Sequence, residues 1–245
     1  MVIVSAVSNY NITQIKPLVD SVRNVGYTGH RVMLIHNVDK EAVEYLLDNN
    51  WRIISIELEM LIHIQRYREV FKVLGEYKDN EQVIFIDGKD VFFYKNPETW
   101  NLSDKLYVGI DGNGTHSDHE WGRENFYKSF PDYIDVVLDK PHLNCGVIIG
   151  ENKDIRNLLI DIFDIALTSN QRDGVDPFTF TPDDQMALNL LAHTKYKNLL
   201  TIQKPEDRYI INLAQTKWDR EQYYLYHQYD RIKDFFNIVK NEENT

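Results

Sequence analysis

The sequence predicts a single α/β domain built around a mostly parallel sheet flanked by helices, and three observations predict it. Short apolar runs rich in β-branched residues alternate with segments of helical period through roughly the first 90 residues. Those runs are continuously apolar, as in strands covered on both faces, so helices are expected above and below the sheet. No internal repeat, low-complexity stretch or linker divides the 245 residues, a length that can bury a full core in one domain.

The elements follow in order. Val2-Ile3-Val4-Ser5-Ala6-Val7 reads as a buried strand, Ile12 to about Val25 as a helix ended by Gly26, and Arg31-Val32-Met33-Leu34-Ile35 as a second strand. Lys40 to Asn49 is a further helix, and Arg52-Ile53-Ile54-Ser55-Ile56 a third strand. Met60, Leu61, Ile64, Tyr67, Val70, Phe71 and Leu74 recur at helical spacing and deliver the chain to a fourth strand, Val83 to Ile86. Leu106 to Ile110 is a strand, Asp111 to Arg123 with its glycines a loop, and Cys145-Gly146-Val147-Ile148-Ile149-Gly150 a strand. Asp154 caps a helix running to Thr168. Ser169 to Thr181 is a loop, and a last helix begins at Pro182-Asp183-Asp184-Gln185, its carboxylates suited to the positive end of the helix dipole.

Composition narrows the function. Lys and Arg number 27 against 38 Asp and Glu, a formal net charge of −11, with no basic block, which argues against nucleic acid and anionic membranes as partners. No apolar stretch approaches the roughly 20 residues of a membrane span. The first residues enter a strand with no basic leader, so a cytoplasmic location is expected. Cys145 is the single cysteine, which excludes an internal disulfide and a cysteine-based zinc cluster.

The most informative residues are Asp87-Gly88-Lys89-Asp90, directly after Val83-Ile84-Phe85-Ile86 and before Val91-Phe92-Phe93. Carboxylates at the end of a buried strand are either turn residues or ligands, because charges are rarely buried unless paired or bound to metal. Open α/β sheets bind ligands beyond the carboxyl ends of their strands.

Three features occur together: the Asp87-x-x-Asp90 pair, the segment His142-Leu143-Asn144-Cys145-Gly146-Val147-Ile148-Ile149-Gly150, and Asp183-Asp184-Gln185 opening an apolar helix. This set resembles the nucleotide-sugar glycosyltransferases of GT-A (Rossmann-like) fold, notably the small glycosyltransferases of large algal DNA viruses and the glycosyltransferase domain of collagen lysyl hydroxylases. The pattern spans about residues 2 to 231. It implies a donor-nucleotide half over about residues 1–110 and a sugar and acceptor half over about 111–245. It also implies transfer of a sugar from a nucleoside diphosphate sugar, with a UDP sugar as the expected donor, to a hydroxyl of a glycan or glycoconjugate acceptor.

By the same resemblance, Asp87, Asp90 and His227 would hold Mn2+ or Mg2+, a hard ion that takes carboxylate and imidazole ligands while bridging diphosphate oxygens. Ala6, near the end of the first strand, and Asn9 and Tyr10 after it would meet the base and ribose, although Asn9-Tyr10-Asn11 also reads as a turn and helix cap. Arg66 would reach the donor, or else belongs to a solvated face with Arg68 and Lys72. Asn144, Gly146 and Gln185 would line the donor sugar. Asp184 would accept the acceptor's proton or position the sugar, with helix capping as its competing role. The loop with Asp111, His116, His119, Glu120 and Trp121 would cover the acceptor. The alternatives are an inactive nucleotide-sugar or carbohydrate-binding protein, and a metal-dependent phosphohydrolase or nucleotidyltransferase. The latter needs no Asn-x-Gly strand and no Asp-Asp-Gln helix.

Overall fold

A computed structural model describes residues 1–103, 105–212 and 223–231. In chain order the elements are β1 (Val2–Ser8), α1 (Ile12–Asn24), β2 (His30–His36), α2 (Lys40–Asp48), β3 (Arg52–Ser55), α3 (Ile62–Leu74), β4 (Gln82–Asp87) and β5 (Val91–Phe93). There follow β6 (Leu106–Thr115), α4 (Glu120–Ser129), α5 (Ile134–Val137), β7 (Pro141–Glu151), α6 (Asn152–Leu167), α7 (Asp183–His193), β8 (Leu200–Gln203), β9 (Ile210–Asn212) and β10 (Leu225–His227). The strand and helix assignments of the first half therefore stand to within a residue or two.

The described residues form a seven-stranded sheet in the order β3-β2-β1-β4-β7-β6-β8. Its pairs are parallel except those made by β7, which runs antiparallel to both β4 and β6. A smaller three-stranded sheet has the order β5-β10-β9.

Successive residues of β1 face opposite ways, as the pleat requires. Val2 and Val4 join a core with Tyr67, Val70 and residues of α6 and α7 on one face of the sheet. Ile3 and Val7 join Leu18, Val19 and Leu46 from α1 and α2 on the other. Helix α7 lacks an apolar stripe because it needs none: Asp183 through Ala192 are all buried, so the helix is enclosed on every side.

Three sequence expectations are corrected. Residues 111–123 are not one loop: β6 runs on to Thr115 against β7, and α4 starts at Glu120. Gly112 and Gly114 lie at positive φ, 86° and 101°, where the pairing with β7 shifts register, so these glycines serve a bulged strand and not a turn. Asp154 is not the cap of α6, which begins at Asn152 after Glu151. That start is set by tertiary contacts, since Asn152 Nδ2 donates to the carbonyls of Leu74, Tyr77 and Lys78 at 2.9, 3.0 and 3.1 Å. Nor does either carboxylate cap α7 from the N-cap position, which Pro182 occupies without a side-chain bond.

Candidate active site

A cleft of about 510 Å³ opens beyond the carboxyl ends of β1 and β4. Parallel pairing places Ala6 opposite Asp87, and antiparallel pairing sets Ile86 opposite Val147, so Gly146 lies beside Asp87. The third ligand expected from sequence arrives through the small sheet. His227 on β10 stands opposite Val91 on β5, one residue past Asp90, and Gln228 N donates to the Asp90 carbonyl at 2.8 Å. Lys89 and Asp230 pair at 2.8 Å and tie the two segments together.

Asp87, Asp90 and His227 thus converge, with ligand atoms all within 4.8 Å of one another. The His227 ring is 2 % exposed, and its Nε2 lies 3.4 Å from Asp87 Oδ2 and 3.5 Å from Asp90 Oδ1. Nε2 is buried with no hydrogen-bond partner among the described residues. The opposite nitrogen is fixed. Asn212 directs its Nδ2 to the Ile110 carbonyl and so turns Oδ1 toward His227, where it accepts from Nδ1–H at 2.7 Å. The imidazole therefore presents Nε2 to the carboxylates, the arrangement in which an outer partner fixes the tautomer of a metal ligand.

Donors on one ion at about 2.1 Å sit roughly 3–3.5 Å apart, so this set fits a divalent cation. Gly146 makes the approach possible: a Cβ there would overlap the His227 ring and come within 2.9 Å of Asp87 Oδ2. Burial opposes charge on His227, but the Asp90 and Asp87 carboxylates outweigh it and raise the pKa to about 10. Burial likewise opposes charge on Asp87, yet Arg66 and His227 hold its carboxyl well below the usual carboxylate range.

Arg66 is not on a solvated face. It is buried on α3, pairs with Asp87 through Nη1, and donates from Nη2 to Asp184 Oδ2 at 3.3 Å. Asp184 is also buried. Its Oδ2 accepts from Tyr67 at 3.1 Å and faces Cys145 Sγ at 3.5 Å, while Oδ1 accepts from Gln185 N at 2.9 Å. Burial, reinforced by the Asp184 charge, pushes the Cys145 thiol well up, so this cysteine is a packed and un-ionised group.

The neighbouring Asp183 belongs to a different environment. It is fully buried, accepts from Ser129 at 3.2 Å and from Ser169 and Thr181, and meets Arg172 Nε at 2.9 Å. It does not line the cleft.

Gln185 and Asn144 do line it. Gln185 Nε2 donates to Asp111 Oδ2 at 2.9 Å and lies 2.9 Å from His142 Nε2. Asn144 Oδ1 accepts from Gly146 N at 2.8 Å. Ala6 and Tyr10 also line the cleft, and burial with the nearby Asp87 charge raises the Tyr10 hydroxyl to about 12. Among the expected residues, Gly146 backs His227 and Asp87, His116 is buried against Asn189, and neither lines the cleft; nor does Asn9. Asn9 is exposed at φ 59° and bonded to Ser8 and Asn37.

Sequence reasoning missed Asn212 and Tyr67 as parts of this site. Both carry no local signal, being polar groups inside ordinary strand and helix patterns. Asp111, expected in a loop over the acceptor, instead lies on β6 and reaches the cleft from there.

No protein-family model matches the chain, and no curated protein matches it by sequence. In structure it is similar to the galactosyltransferase LgtC, solved with donor and acceptor sugar analogues, at TM-score 0.60 and 16% identity over 98% of this chain and 96% of that one. An active-site mutant of LgtC gives TM-score 0.56 and 17% identity over 93% and 86%. The bifunctional glycosyltransferase WbbM gives TM-score 0.59 and 11% identity over 100% of this chain, which spans about half of WbbM, 49%. At these identities the likeness is one of fold, and the chain has the α/β fold of GT-A glycosyltransferases.

Proposed function

We propose that the protein is a metal-dependent glycosyltransferase that moves a sugar from a nucleoside diphosphate sugar, a UDP sugar first among them, to a hydroxyl of a glycan or glycoconjugate. One observation carries this reading: a buried imidazole nitrogen that has no hydrogen-bond partner among the described residues faces two carboxylates at the carboxyl end of β4, in a chain with a glycosyltransferase fold. The Asp87-x-x-Asp90 spacing supports kinship with the viral enzymes and the lysyl hydroxylase domain.

Asp87, Asp90 and His227 would hold Mn2+ or Mg2+. When bound, the ion supplies Lewis acidity to the departing diphosphate, on which negative charge builds as the glycosidic bond breaks. Lys89 and Arg231 also line this end of the cleft and add positive charge for the phosphates. Tyr10 offers a ring to the base, with Ala6 leaving room beside it. Asn144 and Gln185 line the cleft and would face the sugar, while Gly146 makes room for the His227 ring beside Asp87.

Asp184 positions. Both of its oxygens already accept hydrogen bonds, and Arg66 and Tyr67 hold it at the cleft wall, which supports a role in orienting the donor sugar over proton abstraction.

The test is calorimetry of UDP binding with Mn2+ and with chelator, in wild type and Asp90→Ala. Metal should tighten UDP binding strongly in wild type and leave the variant unaffected. Equal affinity with and without metal in wild type would remove the assignment.

A further inference from the structure

The metal end of the cleft accounts for the donor, which leaves the wall built by α4, the start of α3 and the approach to α7. Trp121 and Phe180 stand there. Among the described residues they are the exposed large apolar side chains that line the cleft, at 46% and 68% exposure; Tyr127, Tyr133 and Phe178 are comparably exposed but lie outside it. Exposed aromatic surface in a cleft is a recognition element more often than a packing accident.

Both rings are held. Trp121 takes edge contacts from His119 and His142, with centroids at 6.3 and 6.0 Å, and Phe180 leans on His63 at 4.9 Å. Rings supported on one side offer another to a ligand at little further cost in ordering. Among the described residues, the polar groups that line the cleft near them include the Asp111 carboxylate and the Gln185 amide. Asp111 reaches the cleft near Gln185, and Arg66, the basic residue closest to Asp184, is committed to Asp87 and Asp184. A pyranose has this combination of surfaces: a flat patch of C–H bonds for an aromatic face, and hydroxyls for carboxylate and amide acceptors. Among the described residues, Lys89 and Arg231 line the metal end of the cleft, so a carboxylated sugar on the two rings would meet the Asp111 and Asp184 carboxylates.

We infer that Trp121 and Phe180 form the acceptor subsite, and that it takes an uncharged pyranoside by stacking on the C–H face of the ring. The inference rests on the glycosyltransferase reading, and its test separates the two. Wild type saturated with UDP and Mn2+ is probed by saturation-transfer NMR and titration with methyl β-galactopyranoside, methyl α-glucopyranoside, lactose and glucuronic acid. Expected are transfer to ring C–H protons of at least one neutral sugar, no binding of glucuronate, and at least tenfold weaker binding in Trp121→Ala and in Phe180→Ala. Trp121→Phe should retain most of the affinity, which separates stacking from misfolding.

The inference is overturned if no neutral sugar binds wild type, if glucuronate binds as well as the neutral sugars, or if the alanine variants bind unchanged. Loss of Mn2+-dependent UDP binding in wild type with sugar binding intact would sink the glycosyltransferase reading alone.

Discussion

Metal binding to this protein should eject a proton, and the structure fixes which one. His227 keeps its Nδ1 proton because Asn212 Oδ1 accepts it at 2.7 Å, whatever the charge on the ring. The proton lost must therefore come from Nε2, the atom that faces Asp87 and Asp90. With the His227 pKa raised to about 10 by those carboxylates, against burial, the metal-free ring is charged at pH 8. Stripping it there costs about 3 kcal/mol, from roughly 1.36 kcal/mol for each unit between pH and pKa. Asp87 is already ionised, so it contributes no proton.

Mn2+ titrated into the UDP-bound protein at pH 8, by calorimetry in Tris and in HEPES, should release about one proton per ion, and affinity should rise about tenfold per pH unit between 7.5 and 8.5. His227→Gln should abolish the proton release and most of the affinity. A proton count near zero in wild type, or affinity flat with pH, would refute the tautomer argument. The sign for the metal-free fold is opposite. A raised pKa gives stability that is full below about 6.5 and is lost as pH rises toward about 10, so wild type should lose stability relative to His227→Gln across that range.

Other outcomes follow from the same contacts. Asn212→Ala removes the acceptor that orients His227 and should weaken Mn2+ binding by roughly 10–100-fold, read by calorimetry, while the bound UDP–Mn2+ complex still forms at high metal. Gly146→Ala puts a methyl group against the His227 ring; it should cost about 1–3 kcal/mol in a thermal melt and at least tenfold in metal-dependent UDP binding. Asp184→Asn should leave UDP affinity nearly unchanged and cut transfer by roughly 10²-fold, because the neutral amide loses the Arg66 ion pair and must turn its NH2 either on Arg66 and Tyr67 or on Gln185 N–H, which disturbs the positioning. Asp183→Asn, away from the cleft, should instead be read in stability, losing about 3–5 kcal/mol as Arg172 is left beside a neutral group.

Much of the frame was legible in the chain itself. β-branched apolar runs and helical spacing report local conformation and burial, which is why β1 to β4 and α1 to α3 emerge at nearly their true bounds. Asp87 and Asp90 stood out because charge directly after a buried strand needs a reason. The second half was harder. Gly112 and Gly114 signal a turn as readily as a bulge, and only pairing with β7 decides for the bulge. Helix α7 shows no stripe because it is buried all round.

The site's chemistry depended on proximity that no local pattern encodes. His227 becomes a ligand because β10 lies between β5 and β9, which sets it beside Asp90 on one side and Asn212 on the other. Arg66, ambiguous on a helix with Arg68 and Lys72, is decided by the carboxylates of two other elements that close over it. Asp183 and Asp184 are adjacent and alike in sequence, yet one faces hydroxyls and Arg172 away from the cleft and the other faces Arg66 and Tyr67 within it. Local sequence determines which residues are buried and in what conformation; strand pairing and helix packing determine which of them meet.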